Sequence, residues 1–490
     1  MSARELIDVV LDSFESWDEP ADLTGHSPTY LDQLTKATER SGADESVLTG
    51  RGLMHGRPVA VLVSEFAFLA GSIGRAAAAR ITSAVRRATA EGLPILASTA
   101  SGGTRMQEGA PAFFEMVRIS RALMDHKAAG LPYLVHLRHP TTGGVFASWG
   151  SLGHVTVAEP GALIGFLGPK VYQALYDEPF PADVQTAENL AEHGVIDGVV
   201  ESVDLPVLLD RALGILVDPP TPPTLDRRTG NRSAPTATDA LATTDGPHAP
   251  ADAATSHSAV TEADAIVLAT DGWEAVTSTR RADRAGVREF LRFACTGTVR
   301  LTSADASVLV ALTRVDGRPC VLVGQDRESD RPLGPSALRA ARRGMRLAED
   351  LGLPLVTLID TAGAELSRAA EEGGLAGEIA QCIATMSTLT VPTVSVLLGQ
   401  GTGGGALALL PATTVIAAGH AWLAPLPPEG ASAIMYGDTA YASALATTQR
   451  IAAADLQTAG IVHHVVPELP DDTPESLTTA LAAEIAHHLS

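Results

Sequence analysis

Aromatic residues make up only 4% of this 490-residue chain, and cysteine occurs three times. Cys295, Cys320 and Cys382 stand far apart with no C-x-x-C spacing, which excludes a zinc ribbon and argues against a disulfide framework. They read instead as buried reduced thiols of a cytoplasmic protein. Basic residues are in deficit, 35 Lys and Arg against 57 Asp and Glu, for a formal net charge of −22. That balance argues against nonspecific binding of nucleic acid or an anionic membrane, and an anionic substrate would need a local basic patch. Long apolar runs are missing too. The stretch from Leu409 to Leu426 is interrupted by Pro411, Gly419, His420 and Pro425, so no membrane span is expected. Met1-Ser2-Ala3-Arg4-Glu5-Leu6 has no signal-peptide core. The 14 histidines form no H-E-x-x-H, and His463-His464 fall on opposite faces of an apolar strand. No bound metal is expected.

What the chain does have is glycine at strand ends. Leu131-Pro132-Tyr133-Leu134-Val135-His136-Leu137 reads as a short buried strand, followed by Pro140-Thr141-Thr142-Gly143-Gly144-Val145 and the first turn of a small-residue helix. Glycines there let a substrate carbonyl approach backbone N–H groups that a helix leaves unpaired, which can stabilise an oxyanion without an acid, a base or a metal. One such pair is equally well a tight turn.

The motif recurs. Leu93-Pro94 is answered by Leu353-Pro354 and Pro132 by Pro392, each 260 residues later. Val391-Pro392-Thr393-Val394-Ser395-Val396 runs into Gly399-Gln400-Gly401-Thr402-Gly403-Gly404-Gly405-Ala406. Leu190-Ala191-Glu192-His193-Gly194 is echoed by Leu456-Gln457-Thr458-Ala459-Gly460, 266 residues later. Landmarks repeated in order imply a duplicated domain. The expected organisation is an N-terminal domain over 1–217, a Pro/Ala/Thr/Asp-rich flexible linker over 218–262, and a C-terminal domain over 263–490. Gly143 with Gly144, and Gly404 with Gly405, are the expected backbone oxyanion donors.

Elsewhere the readings are plainer. Residues 1–50 suggest a surface-packing arm, and Gly52 to Ala67 two short strands about a turn at Gly56-Arg57-Pro58. Arg105, in the first turn after Gly102-Gly103, opposes the helix dipole and suggests an anion partner, with structural pairing to Glu108 or another acid as the alternative. Ser101 lies outside any G-x-S-x-G elbow and is not read as a nucleophile. Gly165-Phe166-Leu167-Gly168 is a second close-approach loop. Asp360, at a strand end, is expected to cap the next helix. Glu371, Glu372 and Glu378 read as solvated or paired.

Taken together, Ser101-Gly102-Gly103-Thr104-Arg105-Met106-Gln107-Glu108, Pro140-Thr141-Thr142-Gly143-Gly144-Val145 and Ala158-Glu159-Pro160-Gly161-Ala162 resemble the β subunit of bacterial acetyl-CoA carboxylase carboxyltransferase. Ile359-Asp360-Thr361-Ala362-Gly363-Ala364, Gly403-Gly404-Gly405-Ala406 and Pro428-Glu429-Gly430-Ala431 resemble its α subunit. The resemblance implies an α/β fold of two crotonase-like β-β-α superhelix domains and carboxyl transfer from carboxybiotin to acetyl-CoA, giving malonyl-CoA for fatty acid biosynthesis. It also implies two oxyanion sites, one for the thioester oxygen and one for the biotin ureido oxygen. Gly102, Gly103, Arg105, Gly165, Gly363, Gly403 and Ala406 become the expected substrate-binding residues. The sequence departs from that family in having no cysteine before Cys295, where a zinc ribbon is common, and in Ala362 where proline is usual. No lysine sits in a Met-Lys-Met context and no ATP-grasp or P-loop pattern occurs, so biotin carboxyl carrier protein and biotin carboxylase are expected as separate partners of a homo-oligomer. A biotin-independent malonyl-thioester decarboxylase and an inactive scaffold of a carboxylase complex are the alternatives.

Overall fold

The computed structural model describes residues 1–216, 271–301, 305–469 and 471–489. The linker expected at 218–262 and the beginning of the second domain lie outside the described residues. Among these, the strands form two eight-stranded sheets, one before residue 200 and one after residue 294. Each opens with an antiparallel hairpin and continues as parallel strands, the order expected of repeated β-α crossovers. The strands Ile95–Ser101 and Leu355–Thr361 are buried at every position, which explains their unbroken runs of apolar and small residues.

The repeat seen in sequence is a repeat in space. The helices Arg75–Glu91 and Pro335–Leu351 are both 17 residues long and begin 260 residues apart. Each ends in a left-handed glycine, Gly92 at φ 68° and Gly352 at φ 60°, a conformation glycine adopts without a Cβ penalty. The shorter echo holds as well, since helix Ala187–Glu192 corresponds to Ala453–Thr458 and strand Gly198–Val199 to His464–Val466.

Two expectations are corrected. The first hairpin pairs Val47–Met54 with Arg57–Ser64 about His55-Gly56, both at positive φ (47° and 79°), so its first strand starts earlier and its turn lies one residue sooner than expected. The N-terminal segment is not merely a surface arm. Helix Ala3–Val10 buries Ala3, Leu6, Ile7 and Val10 beneath the first sheet beside Leu205, Leu209 and Leu213.

The two sheets stay separate, yet their cores merge where helix Gly109–Ala128 packs on helix Leu375–Thr388. Polar contacts reinforce the join. The Gln449 carbonyl accepts from Ala110 N–H at 3.1 Å, and its side-chain amide donates to Met106 O at 3.3 Å. Among the described residues no helix is long and apolar enough to cross a membrane.

Candidate functional site

Both glycine junctions arise from the same local construction. Strand pairing slips between Thr99 and Ser101, and again between Ile359 and Thr361, so the chain leaves the sheet at equivalent points. A hydroxyl then pins the loop. Ser101 Oγ accepts from Gly103 N–H at 3.0 Å and donates to Gly71 O at 2.6 Å, while Thr361 Oγ1 accepts from Gly363 N–H at 3.1 Å. Gly103 stands at φ 105° and Gly363 at φ 134°, conformations closed to most L residues. The neighbouring strands, Tyr133–Thr142 and Thr393–Thr402, end at Gly143 (φ 64°) and Gly403 (φ 63°), each opening a short helix. A Cβ on Gly103 would sit 3.4 Å from Gly143 Cα, Gly144 N and Thr142 O, so backbone here packs on backbone.

The register also relates the two glycine pairs. The counterpart of Gly143-Gly144 is Gly403-Gly404, because the helices Gly143–Phe146 and Gly403–Leu407 start at equivalent residues; Gly405 lies one step further in. The donor set also narrows. Gly143 N–H donates to Phe166 O at 3.1 Å and Gly102 N–H to Ala70 O at 2.9 Å. With the Gly103 and Gly363 N–H groups given to hydroxyls, all four of these N–H groups are engaged within the protein. Gly144, in the first helical turn, has no intrahelical acceptor for its N–H.

The junctions differ in access. Gly143 and Gly144 are half-buried, whereas Gly403 through Ala406 are buried. A Cβ on Gly404 would meet Phe166 Cε2 at 2.8 Å and Ile379 Cδ1 at 2.9 Å, so the second junction is roofed by a ring from the first domain. Gly405 lies under Leu333, and its carbonyl accepts from Gln325 Nε2 at 2.7 Å. A buried hydroxyl without a partner stands at each junction, Thr104 Oγ1 at the first and Thr402 Oγ1 at the second. Thr104 Oγ1 lies 2.9 Å from where a Cβ on Gly144 would be, a donor aimed at the space the glycine leaves open. Thr104 lies inside the Ser101–Glu108 motif, but no local spacing signals that its hydroxyl lacks an internal partner.

Several side chains do not have their expected roles. Arg105 is no anion receptor: 1% exposed, it donates to Glu45 and to Ser72 O and lies 3.6 Å from Glu108. Asp360 does not cap a helix. Its carboxylate accepts from Gln400 N–H at 3.0 Å and from Arg327 at 3.4 Å, and burial pushes its pKa up. Gly165 is buried in the strand Ile164–Gly165 against Thr142, with the Gln185 amide filling the place of its missing side chain. The most consequential omission is Glu371, which is 5% exposed and accepts from Phe166 N–H at 2.9 and 3.1 Å and from Gln185 Nε2 at 2.6 Å. Burial raises its pKa to about 7 against these hydrogen bonds. Sequence spacing also missed a gathering of His464, Glu484 and His488, in which both imidazoles stand 3.3 Å from Glu484 Oε1.

Two mainly parallel sheets, each ending at a glycine junction, define an α/β protein built of two like domains. Residues 1–210 match the carboxyl transferase domain family, and residues 253–490 match the acetyl co-enzyme A carboxylase carboxyltransferase-like family. Over 500 residues the chain is 53% identical to the probable biotin-dependent acyl-coenzyme A carboxylase beta3 subunit of Mycobacterium tuberculosis (strain ATCC 25618 / H37Rv), covering 99% of this chain and 94% of that one. It is 37% identical to the acetyl-coenzyme A carboxylase carboxyl transferase subunits beta/alpha of Parafrankia sp. (strain EAN1pec), over 94% of this chain and 76% of that one. A transcarboxylase 12S chain of known structure aligns at 21% identity and a TM-score of 0.37, covering 100% of this chain and 90% of that one. The chain belongs to the carboxyltransferase family of the biotin-dependent acyl-coenzyme A carboxylases.

Proposed function

We propose that this chain moves a carboxyl group from carboxybiotin on a separate carrier protein to a short acyl-CoA, with acetyl-CoA as acceptor and malonyl-CoA as product. The observation that carries the reading is the pair of junctions in matching register, each with a buried hydroxyl that has no partner. Two enolisable or anionic carbonyl systems meet in such a reaction, and two carbonyl sites suit it.

The first junction fits a carbonyl oxygen as it stands. Gly144 N–H and Thr104 Oγ1 are the donors there: Thr104 Oγ1 lies 2.9 Å from a Cβ placed on Gly144, with Met116 Cγ next at 3.4 Å, and Gly102 nearby is exposed. Negative charge that develops on that oxygen is met by donors already in place, which is the largest electrostatic contribution such a site can make. The second junction also holds an unpartnered hydroxyl, Thr402 Oγ1, and the Phe166 ring covers Gly404, so that ring must shift before a second carbonyl enters. Bound carboxybiotin supplies the carboxyl group and, once that is lost, a base. This chain's residues are therefore asked to orient and to stabilise charge rather than to carry a proton. Ser101 suits that division, since its hydroxyl is spent on Gly71 and Gly103. A biotin carboxyl carrier protein, a biotin carboxylase and a second copy of the chain are the partners this reading requires.

The roof over Gly404 favours one rival. With only one open carbonyl site, the same chain would suit a malonyl-thioester decarboxylase that needs no biotin. Malonyl-CoA decarboxylation assayed with and without biocytin separates them. Biocytin-dependent turnover is the expected result, and turnover indifferent to biocytin would establish the rival.

A further inference from the structure

The first junction does not hold itself. Gly143 N–H is fixed by the Phe166 carbonyl, and Phe166 N–H is fixed in turn by a carboxylate from the other domain, Glu371, at 2.9 and 3.1 Å. Gln185, whose side chain fills the space over Gly165, donates to the same carboxylate at 2.6 Å and to Leu167 O at 2.6 Å. The Phe166 ring meanwhile covers Gly404. One residue thus touches both junctions, by its backbone at the first and by its ring at the second, and one buried carboxylate holds it.

We propose that Glu371 is a positioning residue, which from the second domain holds the Gly165–Leu167 loop and through it sets the Gly143-Gly144 junction. The proposal rests on reading that junction as the carbonyl site. It extends to regulation of the site, because the grip depends on the charge state of Glu371. Ionised, the carboxylate accepts from Phe166 N–H and Gln185 Nε2 together. Protonated, it becomes a donor on one oxygen, and Gln185 Oε1, buried without a partner on the amide that now donates to the carboxylate, can turn to accept from it. Turning the Gln185 amide to meet it removes the donor from Leu167 O and loosens the loop. The change falls near neutrality, since burial lifts the carboxyl to about 7.

The surrounding charges are engaged elsewhere. Arg368 pairs with Asp183 at 2.7 Å and Glu372 at 3.0 Å, and His193 lies 3.7 Å from Glu372. Glu188 accepts from Gly161 N–H at 2.8 Å, and Glu378 pairs with Arg339 and Arg342 at 3.2 and 2.9 Å. None of these groups contacts the Phe166 backbone, which leaves Glu371 as the titrating group in direct contact with the loop.

The test compares wild type, Glu371→Gln and Glu371→Ala in biocytin-dependent malonyl-CoA decarboxylation from about pH 5.5 to about 9, reading kcat and KM separately. Wild-type kcat should rise with pH through about 7. Glu371→Gln, which keeps an acceptor for Phe166 N–H, should lose that ascending limb yet stay active, while Glu371→Ala should lose on the order of 10²-fold in kcat with little change in KM. Amide hydrogen exchange of residues 163–167 gives a second readout that needs no turnover. Protection there should fall on acidification in wild type, relative to Glu371→Gln. If Glu371→Gln retains the wild-type limb, or if exchange in the two proteins follows pH alike, the proposal is overturned. A wild-type protein without biocytin-dependent turnover would sink the functional reading instead, and exchange would still decide the role of Glu371.

Discussion

At the scale of single residues, the proposed site draws on groups that have no partner within the protein. Thr104 is the sharpest case. A buried hydroxyl without a partner costs stability, so Thr104→Val should leave the unfolding midpoint unchanged or raised. If that hydroxyl meets the developing oxyanion, turnover should nevertheless fall by about 10²–10³. Urea unfolding and steady-state assays on the same variant check both halves, and unchanged turnover would remove Thr104 from the site. Gly143→Val should cost at least about 10² in turnover by another route, since its φ is 64° and the new Cβ would press on Gly103 Cα at 3.3 Å. Arg105 shows the opposite pattern. Its partners are internal and it is 1% exposed, so Arg105→Ala leaves Glu45 buried without its charge partner and should destabilise by about 3–5 kcal/mol. A rise in the acyl-CoA KM on Arg105→Lys, with stability unchanged, would restore Arg105 to substrate binding. The sequence placed Arg105 correctly beside the glycine loop, but its choice between an anion and a structural acid turned on Glu45, 60 residues away. No local spacing could report that pairing.

At the scale of elements, the repeat was legible because covalent offsets survive folding. A 260-residue spacing found from Leu-Pro dipeptides proves to be the spacing of two helices, two strand slips and two left-handed glycines. The same rule pairs Gly143 with Gly403 and Gly144 with Gly404. Asp360, by contrast, was misassigned. A strand-end acid usually caps the next helix, but here a Cβ on Gly399 would collide with the Asp360 carboxylate, which has turned across the sheet to Gln400 N–H. Another carboxylate ties elements together in the second domain. Glu468 pairs with Arg284 and accepts from His420 N–H at 2.9 Å, while Arg284 also donates to Leu398 O at 2.9 Å. Burial pushes the Glu468 pKa up, but the hydrogen bonds and charge of Arg284 and His420 outweigh it and hold it down at about 2. A folded pKa below the unfolded one means stability is fully present above about 4.5 and is lost as pH falls toward about 2. Glu468→Gln should therefore lower stability at neutral pH by a few kcal/mol and flatten this part of the acid dependence. Chemical denaturation at several pH values tests it, and a variant with the wild-type acid profile would refute the assignment.

At the scale of the whole molecule, the two repeats are one object through a shared apolar core and a short list of polar ties, and the Phe166 ring is where that union meets the chemistry. Sequence reading found both glycine runs but could not see that a side chain of one repeat closes the junction of the other, since such a contact has no periodic signature. The roof makes the two junctions unequal, and unequal junctions can be told apart. Phe166→Leu keeps an apolar side chain at this place while shortening what lies above Gly404, and it leaves the Phe166 backbone, with its bonds to Gly143 and Glu371, in place. Volume-conserving apolar swaps usually cost less than about 1.5 kcal/mol, and this somewhat larger reduction should still leave the fold intact. If each junction serves one carbonyl, opening the second should change the KM of one substrate by roughly tenfold and leave the other within about twofold. The substrate that responds, biocytin or the acyl-CoA, is the one that sits at Gly403-Gly404, and the other belongs to Gly143-Gly144. Equal shifts in both constants, or none in either, would mean that the second junction holds no carbonyl at all, and the two-site reading of this molecule would give way to the single-site decarboxylase.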